Sequence, residues 1–373
     1  MKYRRLGKTG IEVSALGFGG LRFPKKNEKE VDVAEAIKMM RTAVDKGINY
    51  IDTGYIYHDG ESEKIIGKAL KDGYREKVHI ATKSPVWMLE SADDFDRILD
   101  EQLERLDVDC IDFYLFHALS GDNWENKVKK LGLMDRMKKA KSDGKIAHIG
   151  FSFHDRYESF VKILDEFEGC EVCQIQMNYV DINNQATMKG LMEAANRGLG
   201  VIIMEPVRGG RLAPPPPGVA KVMTGDKPYA RHALDFLWDI EEVSLVLSGM
   251  SNMEQTTQNL EWAEAAYPGM LTDEQREMYA EAERVWKTSA NVPCTKCEYC
   301  LPCPAGIEIP TLYEAFNYSA IKAAKKVVEN YGYISEKAAE CIACGKCTEI
   351  CPQQIDGVAE MKKIADLKIL PEK

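Results

Sequence analysis

The chain has 373 residues and a formal net charge of −10, with 45% hydrophobic and 29% charged residues. This composition is ordinary for a globular protein and leaves enough material for one large domain and a small one. The negative charge disfavours nucleic acid or an anionic membrane as the main partner. No apolar stretch approaches the roughly 20 residues that span a bilayer, and none follows the basic amino terminus as in a signal peptide. We therefore expect a soluble, cytoplasmic protein.

Short apolar runs alternate with longer amphipathic runs from residue 11 to about residue 266. The apolar runs predict buried parallel strands. They lie at 16–20, 48–53, 78–83, 110–117, 146–152, 171–179, 199–206 and 243–249. The segments between them have helical patterns that often end in glycine. Eight strand and helix units predict an α/β fold, a closed (β/α)8 TIM barrel.

Two segments of this barrel have distinctive sequences. IEVSALGFGG has the pattern of a hairpin that plugs the bottom of the barrel, and it fits an ordinary first strand equally well. The four prolines Pro214 to Pro217 cannot lie in a helix or a central strand, so they predict a loop after the seventh strand. On a barrel that loop lies at the carboxyl end of the strands, where catalysis occurs.

The last hundred residues predict a different architecture. Residues 271–287 form an amphipathic pattern in which Thr272 is a plausible N-cap and Gln275 follows three residues later. A second helical pattern, at 309–332, separates two runs of cysteines. We predict a barrel over 1–270, a connecting helix over 271–289 and a small α-helical ferredoxin-like domain over 290–373.

Eight of the eleven cysteines fall in these two runs, each of which ends in Cys-Pro. Cys-x2-Cys-x2-Cys followed by a fourth Cys-Pro is typical of ligands to a [4Fe–4S] cluster, and in two-cluster ferredoxins the fourth cysteine binds the other cluster. The sequence therefore predicts two [4Fe–4S] clusters. The expected ligand sets are Cys294, Cys297, Cys300 and Cys351 for one cluster, and Cys341, Cys344, Cys347 and Cys303 for the other.

Zinc and disulfide bonds are the alternatives for these cysteines. Zinc sites also use Cys-x2-Cys pairs, but they need two pairs and do not explain two quartets that end in Cys-Pro. Disulfides do not suit a chain of cytosolic character. The first run departs from the usual spacing, because two residues instead of three precede Cys303.

Four residues with unusual chemistry lie at the ends of consecutive predicted strands in the barrel. Asp52 ends the second strand, Tyr57 follows in its loop, Lys83 ends the third strand and His117 ends the fourth. Each residue alone has an ordinary structural explanation, and Asp52 could cap a helix. Their occurrence at one end of consecutive strands points to a catalytic site, since a barrel carries its catalytic residues there.

Residues 1–270 resemble the aldo-keto reductases. The stretches that carry the resemblance are IDTGYIYHDGESEKIIGKAL, IATKSP, DFYLFH, IGFS and MSNMEQTTQNL. The family has a catalytic tetrad of Tyr, Lys, His and Asp, which the resemblance places at Tyr57, Lys83, His117 and Asp52. A nearby ammonium lowers the pKa of a tyrosine, so Tyr57 would protonate the substrate while a nicotinamide delivers hydride. The same layout of a barrel followed by two cysteine runs recurs among bacterial aldo-keto reductase-like oxidoreductases.

The resemblance also implies a set of cofactor contacts. Ser152 and Gln176 match residues that bind the carboxamide, and Arg208, Gly209 and Gly210 lie in the loop that would pass the pyrophosphate. The adenosine end is expected at Gly249, Met250, Ser251, Asn252, Gln255 and Asn259. The family's Asn after the serine is replaced by Phe153, and the aromatic residue often stacked on the nicotinamide by Met204. Basic residues that often hold a 2′-phosphate are absent from 249–259, so the cofactor is expected to be NADP or NAD.

The sequence thus predicts an oxidoreductase that reduces a carbonyl with NAD(P)H, or oxidises an alcohol in reverse. Its clusters would transfer electrons, to an external redox protein or flavoprotein, or support the structure. A nicotinamide moves two electrons and a cluster one, and the sequence has no flavin fingerprint. The alternative is an electron carrier or redox sensor with a catalytically silent barrel.

Overall fold

The computed structural model describes residues 1–27, 30–289, 292–294, 297–321 and 334–366. They form two compact units, of which the first contains Met1–Pro206 and Leu234–Leu271. The second contains Val207–Ala233 and the chain from Thr272 onward. No helix in the described ranges is long and apolar enough to cross a membrane.

The first unit is built around a closed barrel of eight parallel strands, as the sequence predicts. Their order around the barrel follows the chain, with the last strand paired to the first. The barrel strands are β3 (Leu16–Gly19), β4 (Tyr50–Asp52), β5 (His79–Ser84), β6 (Ile111–Leu119), β7 (Ile146–Phe153), β8 (Val172–Gln176), β9 (Gly200–Met204) and β10 (Val243–Ser248). Each overlaps one of the eight predicted apolar runs.

Amphipathic helices lie between the strands, and those of the first unit turn their apolar stripes toward the barrel. The α-helices of six or more residues before β10 are α1 (Val33–Asp45), α2 (Glu61–Ala69), α3 (Ala92–Leu106), α4 (Leu133–Ser142), α5 (Tyr157–Glu166), α6 (Thr187–Asn196), α7 (Pro217–Val222) and α8 (Tyr229–Trp238); α9 (Met253–Ala263) follows β10. In α1 the stripe is Ala36, Met39, Met40 and Ala43, all buried, at the spacing of a helix that packs on one face.

A hairpin precedes the barrel and closes its amino-terminal end. Strands β1 (Tyr3–Arg5) and β2 (Glu12–Ser14) pair antiparallel, and Leu6 and Val13 pack into the interior cluster of the barrel. The segment IEVSALGFGG therefore supplies both structures that its pattern allows, one hairpin strand and the first barrel strand. Gly7 has a positive φ of 54° and lies so close to Gly200 that a Cβ would be 2.3 Å from its backbone nitrogen.

One detail of the proline prediction is wrong. Pro217 lies in α7, where it is the first helical residue. At that position the missing N–H costs no intrahelical hydrogen bond, so proline is tolerated. Pro216 precedes the helix as its N-cap residue.

The second unit is helical. Its main helices are α10 (Asp273–Ser289), α11 (Ile309–Ile321) and α12 (Gly357–Ala365), and a short helical turn spans Lys346–Glu349. A core of its own includes Tyr313, Phe316, Ile334, Met361 and Ile364. The predicted helix at 309–332 is found as far as Ile321, and its remainder lies outside the described residues.

The start of α10 forms the capping arrangement that the sequence predicts. The backbone N–H of Gln275 donates to the Thr272 hydroxyl at 3.3 Å, and the backbone N–H of Thr272 donates to the Gln275 side chain at 3.0 Å. Two donors that the first turn would otherwise leave without a partner are thus satisfied.

Replacing Thr272 with alanine should loosen the first turn of α10. Losing an N-cap typically costs about 1 kcal/mol, so amides 274–277 should exchange with solvent roughly fivefold faster. Hydrogen exchange followed by mass spectrometry measures this effect. Thr257→Ala, which removes an exposed hydroxyl within α9, should leave exchange in α10 unchanged; equal exchange in both variants would refute the cap.

Candidate active site and cysteine sites

The four residues of the predicted tetrad meet at the carboxyl ends of β4, β5 and β6. The Lys83 ammonium donates to both carboxylate oxygens of Asp52, at 2.7 and 2.8 Å, and to the Thr53 carbonyl oxygen at 2.5 Å. It lies 5.1 Å from the centre of the Tyr57 ring. The Tyr57 and His117 rings meet edge to face, with 5.8 Å between their centres.

Burial sets the electrostatics of this group. Lys83 has no exposed surface, and Asp52, Tyr57 and His117 are 4%, 6% and 2% exposed. Burial lowers the pKa of Lys83, while the Asp52 carboxylate opposes that effect. Burial, followed by the nearby Lys83 charge, holds the pKa of His117 well below its usual range, so its imidazole is neutral.

Local backbone features aim these side chains. A register shift in the pairing of β6 with β7 lies between Phe116 and Leu119, and Ala118 there has a positive φ of 52°. Such a bulge redirects a side chain at a strand end, here His117. Gly54 lets the two rings approach it, because a Cβ at this position would lie 3.1 Å from Tyr57 and 3.4 Å from His117.

A buried polar network holds the end of β5, the strand that carries Lys83. Glu63 is fully buried and accepts hydrogen bonds from Thr82 and Gln102, both at 2.6 Å. The same Gln102 amide donates to the Lys83 carbonyl oxygen at 3.2 Å. The end of β5 is thereby held by side chains of α2 and α3.

Two neighbours of the tetrad were not among the predicted site residues. Gln174 on β8 lies close enough to affect Asp52: burial raises the pKa of the Asp52 carboxyl group, and Lys83 and then Gln174 oppose that rise. The run CQIQ, with glutamines two apart in an otherwise apolar strand, is a signal that could have revealed it. The Trp87 ring lies 5.0 Å from the His117 ring, and a single tryptophan in a loop carries no comparable signal.

The predicted carboxamide-binding residues lie on neighbouring strands, at the same end of the barrel. Ser152 is the next-to-last residue of β7, and its hydroxyl accepts from the Ala118 N–H at 2.8 Å. Gln176 ends β8 and its amide donates to Asp181 at 3.2 Å. Both side chains are almost fully buried.

The residues predicted for the adenosine end surround the start of α9. The Asn252 side chain caps the helix by accepting from the Gln255 N–H at 2.8 Å, and the Gln255 side chain accepts from the Ser251 N–H at 2.8 Å. Asn259 donates to the Ser248 hydroxyl at 3.0 Å, and Met250 is buried. A helix start of this kind presents N–H groups and positive potential to an anion.

Gly249 lies beneath the side chain of Arg22, which follows β3. A Cβ at Gly249 would be 2.7 Å from Cγ of Arg22. The loop that lacks a basic residue of its own therefore lies beside a basic residue from another segment, which sequence spacing gives no means to predict.

Arg208, Gly209 and Gly210 belong to the second unit and not to the one that holds the other predicted nucleotide contacts. The Arg208 side chain is 1% exposed and donates to the Pro293 carbonyl oxygen at 3.3 Å. Its guanidinium lies 5.1 Å from the Trp286 ring centre. Arg211 donates to the Cys294 carbonyl oxygen at 2.7 Å. This loop thus holds the segment where the first cysteine run begins.

The eight clustered cysteines line two small spaces. The first space is lined by Cys294, Cys297, Cys300, Cys351 and Cys347, and the second by Cys303, Cys341, Cys344, Cys347 and Cys300. Each space thus holds one complete predicted ligand set and one cysteine of the other. Among the described residues no group of three His, Cys, Asp or Glu side chains is arranged around a single metal ion.

The surroundings of the thiols fit iron–sulfur clusters. Burial, with smaller contributions from the nearby Cys294 and Cys351, raises the pKa of Cys300 to about 12. Cationic iron would reverse this effect, since metal ligation stabilises thiolates. Gly357 makes room for the Cys347 sulfur, because a Cβ there would lie 2.4 Å from it.

Comparison with known proteins agrees with this arrangement of a reductase-type barrel followed by a cysteine module. Residues 15–215 match the model of the aldo/keto reductase family, and residues 293–355 match the 4Fe-4S dicluster domain. The chain belongs to the aldo-keto reductase family, as its sequence indicates, and it is an oxidoreductase of that family with a 4Fe-4S domain.

Three related proteins match part of this chain. L-galactose dehydrogenase of Arabidopsis thaliana is 28% identical over 286 residues, which are 70% of this chain and 87% of that protein. The 6-dehydroglucose reductase of Novosphingobium aromaticivorans is 30% identical over 57% of this chain and 71% of its own length. A probable aldo-keto reductase 1 of Glycine max is 33% identical, and the match covers 40% of this chain and 44% of the soybean protein.

A solved structure resembles about three quarters of the chain. The holo form of aldo-keto reductase AKR11C1 from Bacillus halodurans has a TM-score of 0.64 and 26% identity, and the match covers 76% of this chain and 96% of that protein.

Proposed function

We propose that the barrel reduces a carbonyl group with NADPH, or oxidises the corresponding alcohol in reverse, and that the cysteine module holds two [4Fe–4S] clusters. The observation that carries the reductase proposal is the buried contact of Lys83 with Asp52 beneath the Tyr57 ring. Two relatives are named as a dehydrogenase and a reductase, the two directions of such a reaction.

In this proposal Tyr57 is the acid. When bound, reduced nicotinamide supplies a hydride to the carbonyl carbon. As the C=O π bond breaks, the Tyr57 hydroxyl gives its proton to the oxygen, and solvent later restores it. The Lys83 ammonium stabilises the tyrosinate, and the neutral His117 donates a hydrogen bond to the carbonyl oxygen. Asp52 holds the ammonium in place.

The nucleotide would lie across the carboxyl ends of the strands. Ser152 and Gln176 would hold the carboxamide, and the start of α9 the adenosine phosphate. Arg22 beside Gly249 brings a cation to that end, which favours NADP over NAD.

The clusters have no step in this hydride transfer. They would exchange single electrons with a separate redox protein. Cys344 is the exposed member of the second ligand set, whereas Cys294 of the first is buried, so electrons would enter at the second cluster.

Anaerobic assays of the full protein test the reductase proposal. We expect aldehyde-dependent consumption of NADPH with an equal amount of alcohol formed, and a KM for NADH higher than that for NADPH. Failure of any aldehyde or ketone in a broad panel to be reduced by either nucleotide would count against it and favour the electron-carrier alternative.

The environment of the first predicted cluster leads to a separate prediction. The Arg211 cation donates to the carbonyl of Cys294 and should stabilise the reduced, more negative state of the cluster that Cys294 binds. In Arg211→Gln, the midpoint potential of one cluster should fall by about 40–90 mV, corresponding to about 1–2 kcal/mol of lost Coulomb attraction.

Redox titration followed by electron paramagnetic resonance measures this potential. Lys346→Gln is the matched control, because Lys346 lines the second space only and its loss should leave the first cluster unchanged. Unchanged potentials in Arg211→Gln would show that Arg211 serves packing alone.

A further inference from the structure

His154 follows the end of β7 and has no role in the proposed transfer of hydride and proton. Its backbone N–H donates to the Leu119 carbonyl oxygen at 3.0 Å, two residues after His117 on β6. The residue therefore lies at the same end of the barrel as the tetrad, two residues after Ser152.

A chain of hydrogen bonds connects His154 to a buried carboxylate. The Gln176 amide nitrogen donates to Asp181 at 3.2 Å, and the Gln185 amide nitrogen donates to the Gln176 amide oxygen at 3.4 Å. The Gln185 amide oxygen lies 3.2 Å from Nδ1 of His154. Asn178 also donates to Asp181, at 3.2 Å.

This chain determines which nitrogen of His154 carries the proton. A carboxylate only accepts, so Gln176 must present its nitrogen to Asp181 and its oxygen to Gln185. Gln185 then presents its own oxygen to His154, and Nδ1 must carry the hydrogen. Nε2 is left as an acceptor. Burial lowers the pKa of His154 to about 4, so the ring stays neutral near neutrality.

At this end of the barrel such an acceptor can take a hydrogen bond from a substrate. A carbonyl group cannot donate, whereas a hydroxyl group on the neighbouring carbon can. We propose that His154 is a substrate-positioning residue whose Nε2 accepts a hydrogen bond from such a hydroxyl, and that the substrates are hydroxylated carbonyl compounds. This inference rests on the proposed carbonyl reduction.

Three aldehydes test this inference with the full protein and NADPH under anaerobic conditions. They are 2-hydroxypropanal, 2-methoxypropanal, which has a similar oxygen but no hydrogen to donate, and propanal. We expect kcat/KM for the hydroxyaldehyde to exceed that for the methoxy compound by about tenfold or more, since a site built for a hydroxyl discriminates against its absence.

Variants of His154 then show whether this residue causes the preference for the hydroxyaldehyde. In His154→Leu the preference should fall to within about threefold, while kcat/KM for propanal stays within about twofold of wild type. His154→Gln, whose side-chain oxygen can accept, should recover part of it. The control is His148→Leu: His148 lies toward the amino end of the same strand and pairs with Glu171 at 2.8 Å, so the full preference should remain.

The outcomes distinguish a failure of this inference from a failure of the proposed function. Reduction of all three aldehydes with equal efficiency, or a preference that survives in His154→Leu, would overturn the role of His154 and leave the reductase proposal intact. If none of the three is reduced with NADPH while other carbonyl compounds are, the hydroxylated substrate class is wrong. If the broad panel fails as well, both proposals fall.

Discussion

Replacing Tyr57 with phenylalanine should lower kcat for NADPH-dependent aldehyde reduction by about 100-fold to 10,000-fold, the usual contribution of a positioned general acid. The ring contacts with Lys83 and His117 need no hydroxyl and should persist. The Kd of NADPH, followed by its fluorescence, should therefore change little. Steady-state kinetics at saturating aldehyde measures the effect on kcat.

Tyr55→Phe is the matched control for this variant. Tyr55 lies two residues away and donates its hydroxyl to Glu101 at 2.7 Å, away from the tetrad. Loss of the Tyr55 hydroxyl should leave kcat for aldehyde reduction unchanged. Wild-type turnover in Tyr57→Phe would remove this residue as the acid, and equal losses in both variants would indicate damage to the loop.

Removing the exposed cysteine of the second set should remove one cluster. In Cys344→Ala, iron and acid-labile sulfide should fall from about eight to about four of each per chain, because one ligand set is then incomplete. Aldehyde reduction should continue, since the clusters have no step in the proposed hydride transfer. Chemical analysis of anaerobically reconstituted protein measures the iron and sulfide.

Cys110→Ser is the control for this measurement. Cys110 lies immediately before β6, outside the cysteine module, and its variant should retain full iron. Full iron in Cys344→Ala would refute the ligand sets. Loss of all iron would show that the two clusters assemble together.

The fold could be predicted because a closed barrel repeats one physical pattern. Each buried parallel strand is a continuous apolar run, and the amphipathic helices between them set the spacing. The grouping of the four tetrad residues could be predicted for the same reason, because the ends of consecutive strands converge at one end of a barrel. The cap at Thr272 could also be predicted, because it depends on residues only three apart.

What the sequence did not reveal depends on contacts between distant segments. Arg22 reaches Gly249, and Arg208 reaches Pro293, across separations that no local pattern encodes. The polar chain from Asp181 to His154 likewise joins two loops. Spacing shows that His154 follows a strand end, but only the contacts with Gln185 and Gln176 determine which of its nitrogens is an acceptor.

The central claim is that hydride passes directly from nicotinamide to substrate in the barrel, without the clusters. NADPH deuterated at the transferred position of C4 can be incubated anaerobically with the full protein and 2-hydroxypropanal, and the alcohol analysed by mass spectrometry. We predict one deuterium on the former carbonyl carbon of each product molecule. An alcohol that carries only protium there would contradict the account, because its hydrogen would come from solvent after electron transfer.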